Sequence, residues 1–195
     1  MDHVSSSFAI DIDRALVQRF CSGDLGAFEQ VYRTWSQPVY TLALRITGSP
    51  DRARDVLQDA MLKAHRNGAQ FKGDAPFWSW LRRIAVNECL MHLRRDRTRQ
   101  HEPLPDETDD AGTAEPWRHA DAAVLESAVR TLPATARAVL WLYHVEGYTH
   151  PEIAEQFGRS TSFSKSQLAR GTQRLRQLLQ DTEEAAPCLT STTSA

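Results

Sequence analysis

The stretch Thr149–Gln180, THPEIAEQFGRSTSFSKSQLARGTQRLRQLLQ, decides the fold. Thr149 with Glu152 three residues later is a capping box, in which each side chain accepts the other residue's backbone N–H at a helix start. Ile153, Ala154 and Phe157 then fall on one face, and Ala154 is small, as a close helix crossing needs. Gly158 permits the left-handed conformation that turns one helix into the next. Ser160 or Thr161 can cap the second helix, which Leu168, Leu175 and Leu178 hold to a core while Lys165, Arg170 and Arg174 project. A basic second helix whose N-terminal end meets DNA is the geometry of a helix-turn-helix. An ordinary helical hairpin with a solvated basic face has the same pattern, so the rest of the chain must decide.

Working back toward the N-terminus, helical periods dominate and strand signals are nearly absent. Leu132-Pro133 opens a helix that ends at Glu146-Gly147, and a further helical unit starts near Asp121. Thr98 to Ala120 carries prolines and an acidic run and reads as a linker. Before it, Pro76 suits the first turn of a helix running through Trp80, Leu81, Ile84 and Leu93 to about Arg97. Asp51 to Ala69 is a helix with Ala53, Val56, Leu57, Ala60 and Ala64 on its apolar face. Asp24 can cap a helix through Phe28, Val31, Trp35 and Ile46, in which Pro38 is expected to make a kink or a division. The expected fold is all-α, with two small helical domains and an acidic linker. Its segments are a lead-in over 1–23, a first module over 24–99, the linker over 100–120, a second module over 121–180 and a disordered tail over 181–195. The linker offers no apolar face, so the modules are expected to fold independently and to vary in orientation.

The net charge of −2 hides a segregation that matters more than the average. Lys63 to Arg99 holds nine basic residues against Asp74, Glu88 and Asp96. Arg159 to Arg176 holds five and no acid, and the linker between carries Glu102, Asp106, Glu107, Asp109, Asp110 and Glu115. Two basic modules joined by an acidic strap suit a nucleic-acid binder. No apolar run approaches a membrane span and Met1–Ile10 has no leader pattern, so a cytoplasmic protein without membrane insertion is expected. Cys21, Cys89 and Cys188 form no CxxC pair. His144, Glu146 and His150 are separated by the helix end at Gly147, so no metal site is read there. No nucleophile–base pair or phosphate loop supports an enzyme, and no cofactor is expected.

The order of segments resembles the extracytoplasmic-function sigma factors of bacterial RNA polymerase over about four-fifths of the chain. In the first module the resemblance rests on AFEQVYRTWSQPVYTLALRITGSP, DVLQDAMLKAHRN and FKGDAPFWSWLRRIAVNECLMHLRR; in the second, on LPATARAVLWLYHVEGYTHPEIAEQFGRS. It implies a non-enzymatic subunit that binds core polymerase, recognises a two-part promoter and initiates transcription of a regulon. The partners implied are the clamp helices of the largest polymerase subunit, the flap of the second subunit, promoter DNA and an anti-sigma factor; a Ser/Thr kinase is expected on the separate ground of the charges on the helix that docks on polymerase.

Residue by residue, the resemblance puts polymerase docking on Arg52, Arg54, Asp55, Leu57 and Gln58. It puts minus-ten recognition on Phe71, Lys72, Phe77, Trp78, Arg83, Asn87, Arg94 and Arg95. A base leaving its stack needs a polar group for its edge and an apolar wall for its face, and the arginines, Arg82 among them, suit phosphates. Phe77 and Trp78 are adjacent and cannot both face one core. Minus-thirty-five recognition falls on Arg159, Ser160, Thr161, Ser162, Lys165, Ser166, Gln167, Arg170 and Arg174.

Two departures from the family pattern stand out. The docking helix usually opens with acids, and here reads Arg52-Ala53-Arg54-Asp55. Reversed charge at a complementary interface is repulsive, so weak docking is expected unless negative charge is supplied. Phosphorylation at Thr47 or Ser49, just before that helix, would supply it. A decoy that sequesters an anti-sigma factor without recruiting polymerase is the rival reading. In the recognition helix, Ser164 and Gln167 replace the family's usual Val and Arg, and Phe163 is expected to fill the vacated core site.

Overall fold

The structure, a computed structural model, describes residues 10–100 and 121–184. The expected acidic linker beyond Gln100 and the tail beyond Glu184 lie outside the described residues. Every regular element among the described residues is helical.

The first module holds α1 (Arg14–Cys21), α2 (Leu25–Thr47), α3 (Pro50–Asn67), a 3-10 turn (Gly68–Gln70) and α4 (Phe77–Gln100). Carboxylate and hydroxyl caps start the first three helices. Asp13 accepts from Ala15 N, Asp24 from Ala27 N at 2.7 Å, and Ser49 from Arg52 N. Of the kink or division expected at Pro38, the division does not occur: α2 runs through Pro38 as one helix. Proline removes one backbone donor, but Val31, Trp35, Val39, Leu42 and Ile46 on both sides of it are buried on one face. Packing of that stripe outweighs the lost bond.

Helices α3 and α4 run antiparallel, joined by two ion pairs, Arg52 to Asp96 at 2.9 Å and Lys63 to Glu88 at 2.6 Å, and between them by a hydrogen bond of 2.9 Å between His92 Nε2 and Asp59 Oδ2. Beneath them lies the core of Phe20, Trp35, Ile46, Met61, Leu81 and Leu90.

The second module holds α5 (Ala122–Thr131), α6 (Ala134–His144), α7 (His150–Phe157) and α8 (Thr161–Glu184). Ala128, Leu132, Leu140, Leu175 and Leu179 form its own small core. Helix α8 continues past the boundary read at 180, and α4 past the one at 99.

The modules pack on each other through an apolar face that the sequence reading did not find. Helix α6 packs on α2 and α4, and Ala138, Val139, Leu142 and Ile153 are continuous with the first module's core. The expectation looked for an apolar face in the linker. The face lies instead on α6, whose run ATARAVLWLYH is apolar on two sides.

Candidate polymerase and nucleic-acid interfaces

The outer face of α3 carries Asp51, Arg54, Asp55 and Gln58, all exposed, with Leu57 half-buried beside them. Leu62 continues this face and is 40% exposed. The sequence reading missed it, although its spacing of four from Gln58 was the available signal. Arg52 is turned aside and ion-paired with Asp96, and Arg54 pairs with Asp51. The surface is therefore less positive than the run Arg-Ala-Arg suggests. Thr47 is buried and its hydroxyl donates to Ala43 O at 2.7 Å, so it is not accessible to a kinase in this fold. Ser49 is half-buried as the α3 cap.

The loop after the 3-10 turn forms one wall of a groove. Phe71, Lys72 and Trp78 line it together with Ile12, Val17 and Cys21. Phe77, expected among the base-contacting residues, is instead core: it is 6% exposed and packs on Phe20, Trp35 and Phe71. The adjacent Trp78 is the half-exposed one, with the Arg82 guanidinium 5.4 Å from its ring centre. Phe71 is half-buried against Phe77 and Trp80. Farther along α4, Arg83, Arg94 and Arg95 are exposed. Asn87 is half-buried, and its Oδ1 is buried without a hydrogen-bond partner among the described residues. An unsatisfied buried acceptor costs about 1–3 kcal/mol until something donates to it.

In the second module the capping box forms as read. Thr149 N donates to Glu152 Oε2 at 2.8 Å and Glu152 N to Thr149 Oγ1 at 3.4 Å. The Thr149 hydroxyl and backbone N–H hold the Glu152 carboxyl below its ordinary pKa. Gly158 turns the chain at φ 61°, and Ser160 Oγ accepts from Phe163 N, so Ser160 is the cap of α8. Arg159, Ser160, Thr161, Ser162, Lys165 and Arg174 are exposed and Arg170 is half-buried.

Ser166 and Gln167, expected to face DNA, are 7% and 5% exposed. Ser166 Oγ is satisfied within the helix by donating to Phe163 O at 3.0 Å. Phe163 is buried against Phe157. Ser164 is wholly buried, its Oγ 3.0 Å from His150 Nδ1. Burial first, then the Lys165 charge, lowers the His150 pKa.

The join between modules contains polar contacts that the sequence reading did not find. Arg137, on α6, is 5% exposed. Its Nε donates to Ile46 O at 3.1 Å and its Nη2 to Thr47 O, both at the C-terminal end of α2. Its Nη1 donates to Arg130 O and Leu132 O of its own module, at 3.0 and 3.1 Å. The terminal carbonyls of a helix lack intrahelical donors and carry the negative end of its dipole, so a guanidinium suits them. Burial, then the nearby Arg52 charge, pulls the Arg137 pKa below its usual value. Beside it, Arg82 pairs with Glu146 at 3.2 Å, Trp141 Nε1 donates to Glu146 at 3.1 Å, and Arg45 lies 4.8 Å from the Trp141 ring centre. Burial raises the Glu146 pKa more than these partners lower it. The available signal was a lone arginine inside an apolar helix.

Two family models match this arrangement: Sigma-70 region 2 over residues 31–99 and Sigma-70, region 4 over residues 122–175. The ECF RNA polymerase sigma factor SigM of Mycobacterium tuberculosis is 35% identical over 167 residues, which span 86% of this chain and 84% of that protein. The ECF RNA polymerase sigma-E factor of Escherichia coli is 30% identical over 155 residues, 73% of this chain and 81% of its own. Among solved structures, CnrH in complex with the cytosolic domain of CnrY has a TM-score of 0.50 at 27% identity, covering 88% of this chain and 99% of that one. The sigma factor RpoE of Bartonella quintana, in complex with the anti-sigma factor NepR, shares the fold with a TM-score of 0.52 at 21% identity, over 78% of this chain and 96% of its own. The two matched regions, in this order and with this helix-turn-helix, place the chain in a defined class: it belongs to the extracytoplasmic-function sigma factors, the alternative promoter-specificity subunits of bacterial RNA polymerase.

Proposed function

We propose that promoter recognition and polymerase docking are divided among three helices. The outer face of α3, with Arg54, Asp55, Gln58 and the exposed Leu62, docks on core polymerase. The groove edge and α4 engage the minus-ten element: Phe71, Lys72 and Trp78 wall an extruded base, Asn87 reads an edge, and Arg83, Arg94 and Arg95 hold phosphates. The exposed edge of α8, with Arg159, Ser160, Thr161, Ser162, Lys165, Arg170 and Arg174, engages the minus-thirty-five element.

The observation that carries this division is the exposed row Arg83, Arg94 and Arg95 on the same helix as the unsatisfied Asn87 acceptor. Phosphate contacts position a protein without reading sequence, and a polar side chain among them supplies the reading. The chain itself has no catalytic role in this scheme and works in the cytoplasm. No helix among the described residues is long and apolar enough to cross a membrane.

Control by a protein partner is favoured over phosphorylation. CnrH, at 27% identity, is solved with the cytosolic domain of a second protein, whereas Thr47 is buried and Arg52 and Arg54 are already paired with acids. Separation-of-function variants test the scheme. Asp55→Arg with Leu62→Asp should abolish copurification with core polymerase and leave binding to single-stranded DNA intact. Arg94→Ala with Arg95→Ala should do the reverse. Loss of both activities in either double variant, with folding preserved, would contradict the division.

A further inference from the structure

His150, the first residue of α7, is half-buried and touches two further helices of the second module. Its ring stacks on that of Tyr143, near the C-terminal end of α6, with centroids 4.7 Å apart and planes inclined by 21°. Its Nδ1 lies 3.0 Å from Oγ of Ser164, early in α8. The backbone on its N-terminal side is held by the Thr149–Glu152 capping box. The imidazole is thus fixed on α6 and α7 and presents one polar atom to α8.

Helix α8 rests on α7 through contacts of two kinds. Phe163 meets Phe157 with ring centres 5.6 Å apart, above the buried Ile153 and Ala154. Apolar contact of this sort is not directional and tolerates a small roll of one helix on the other. The Ser164 contact is directional, since a hydrogen bond weakens steeply as its angle closes. Ser164 is also wholly buried, so water cannot replace His150 without the cavity opening. Burial first, then the Lys165 charge, lowers the His150 pKa, which keeps the ring neutral at neutral pH. A neutral imidazole accepts from the hydroxyl at Nδ1 in one tautomer and donates to it in the other, so both keep the contact.

We propose that His150 is the positioning residue of the recognition helix: held by Tyr143 and bonded to Ser164, it fixes the roll of α8 and so decides which minus-thirty-five bases the exposed side chains of α8 meet. Thr161, Ser162 and Lys165 flank Ser164 on the same turn and are exposed. A roll about Ser164 carries all three sideways along the DNA, and base edges are read only within hydrogen-bond reach. This rests on the reading of α8 as the helix facing the minus-thirty-five element.

The variants separate the bond from the stack. His150→Phe keeps a ring on Tyr143 and loses the bond. His150→Asn loses the ring and keeps an amide one bond beyond Cγ, where Nδ1 stood. Ser164→Ala removes the bond from the other side. Core polymerase carrying the full chain is presented with a promoter fragment that the wild type transcribes, its minus-thirty-five positions randomised, and the bound DNA is sequenced. Circular dichroism melts accompany each variant.

Wild type and His150→Asn should enrich the same sequence. His150→Phe and Ser164→Ala should each lose roughly fivefold or more of the discrimination at one position or several. The double variant His150→Phe with Ser164→Ala should add nothing to either single change. A merely structural role would make preference follow the melting temperature, and His150→Asn, without the stack, would then change preference while His150→Phe would not. That order of effects would overturn the proposal, as would additive changes in the double variant. Should Ser164→Ala fail to fold, His150→Phe against His150→Asn decides. A wild type that enriches no minus-thirty-five sequence removes the reading of α8 and this proposal with it. A wild type that enriches one, unchanged in a folded His150→Phe, removes the proposal alone.

Discussion

Helices α4 and α8 are both 24 residues long and rich in arginine, and both were read as DNA-facing, yet they use their polar residues differently. On α4 the charged residues Arg83, Arg94 and Arg95 stand outside, as read. On α8 the short polar residues Ser164, Ser166 and Gln167 are buried, and the exposed edge is the one containing Thr161, Ser162 and Lys165. A charge declares its face, because burying it unpaired is expensive. A serine does not, because its hydroxyl can be satisfied locally. Ser166 donates to its own helix backbone and Ser164 meets His150.

The sharpest way to break this contrast is at Phe163. As a buried residue of α8, its change to Ala should cost about 3–5 kcal/mol in urea unfolding, whereas a surface position would lose under about 0.5 kcal/mol. On α4, Asn87→Ala should cost about 1–3 kcal/mol against the preferred minus-ten base and relax preference there, read in a base-substitution series. Ser164→Ala should cost about 1 kcal/mol of stability by leaving His150 Nδ1 without its partner.

The two helices should look alike where both are charged. Lys165→Ala and Arg94→Ala should each lower the slope of log affinity against log salt by about one, and Ser166→Ala should leave it unchanged. Being uncharged, Ser166 bears on the reading of α8 through base preference instead: a changed minus-thirty-five preference in Ser166→Ala would restore the original reading.

The smallest effect concerns the capping box. Glu152 is held below its ordinary value of 4.5 by Thr149. Its contribution is fully present above that value and fades as pH falls through the lowered one. Thermal melts between neutral and acid pH should show this slope in the wild type and lose it in Glu152→Gln.

Local chemistry was legible in the sequence. The capping box at Thr149, the cap at Asp24 and the turn at Gly158 each depend on residues within a few positions, and each formed as read. The region 2 and region 4 order was legible for the same reason, since both carry dense local patterns. What the sequence did not disclose are contacts between distant positions. Arg52 looked like an unpaired positive charge until α4 brought Asp96 beside it. Arg137 was an unremarked arginine on an apolar helix, and two of its four acceptors lie some ninety positions away. Phe77 and Trp78 could not be told apart by periodicity, since only the packing of Phe20 and Trp35 selects which ring turns inward.

The central claim is that this chain directs core polymerase to promoters through α3, α4 and α8. Run-off transcription tests it most directly: purified core polymerase, a library of genomic fragments from the source organism, and the chain added or withheld. The account predicts transcripts from a small set of fragments that appear only with the chain, share a two-part upstream sequence, and diminish with Asn87→Ala. A chain that binds core polymerase yet yields no such transcripts, or yields them undiminished when α4 carries Asn87→Ala, Arg94→Ala and Arg95→Ala together, would contradict it.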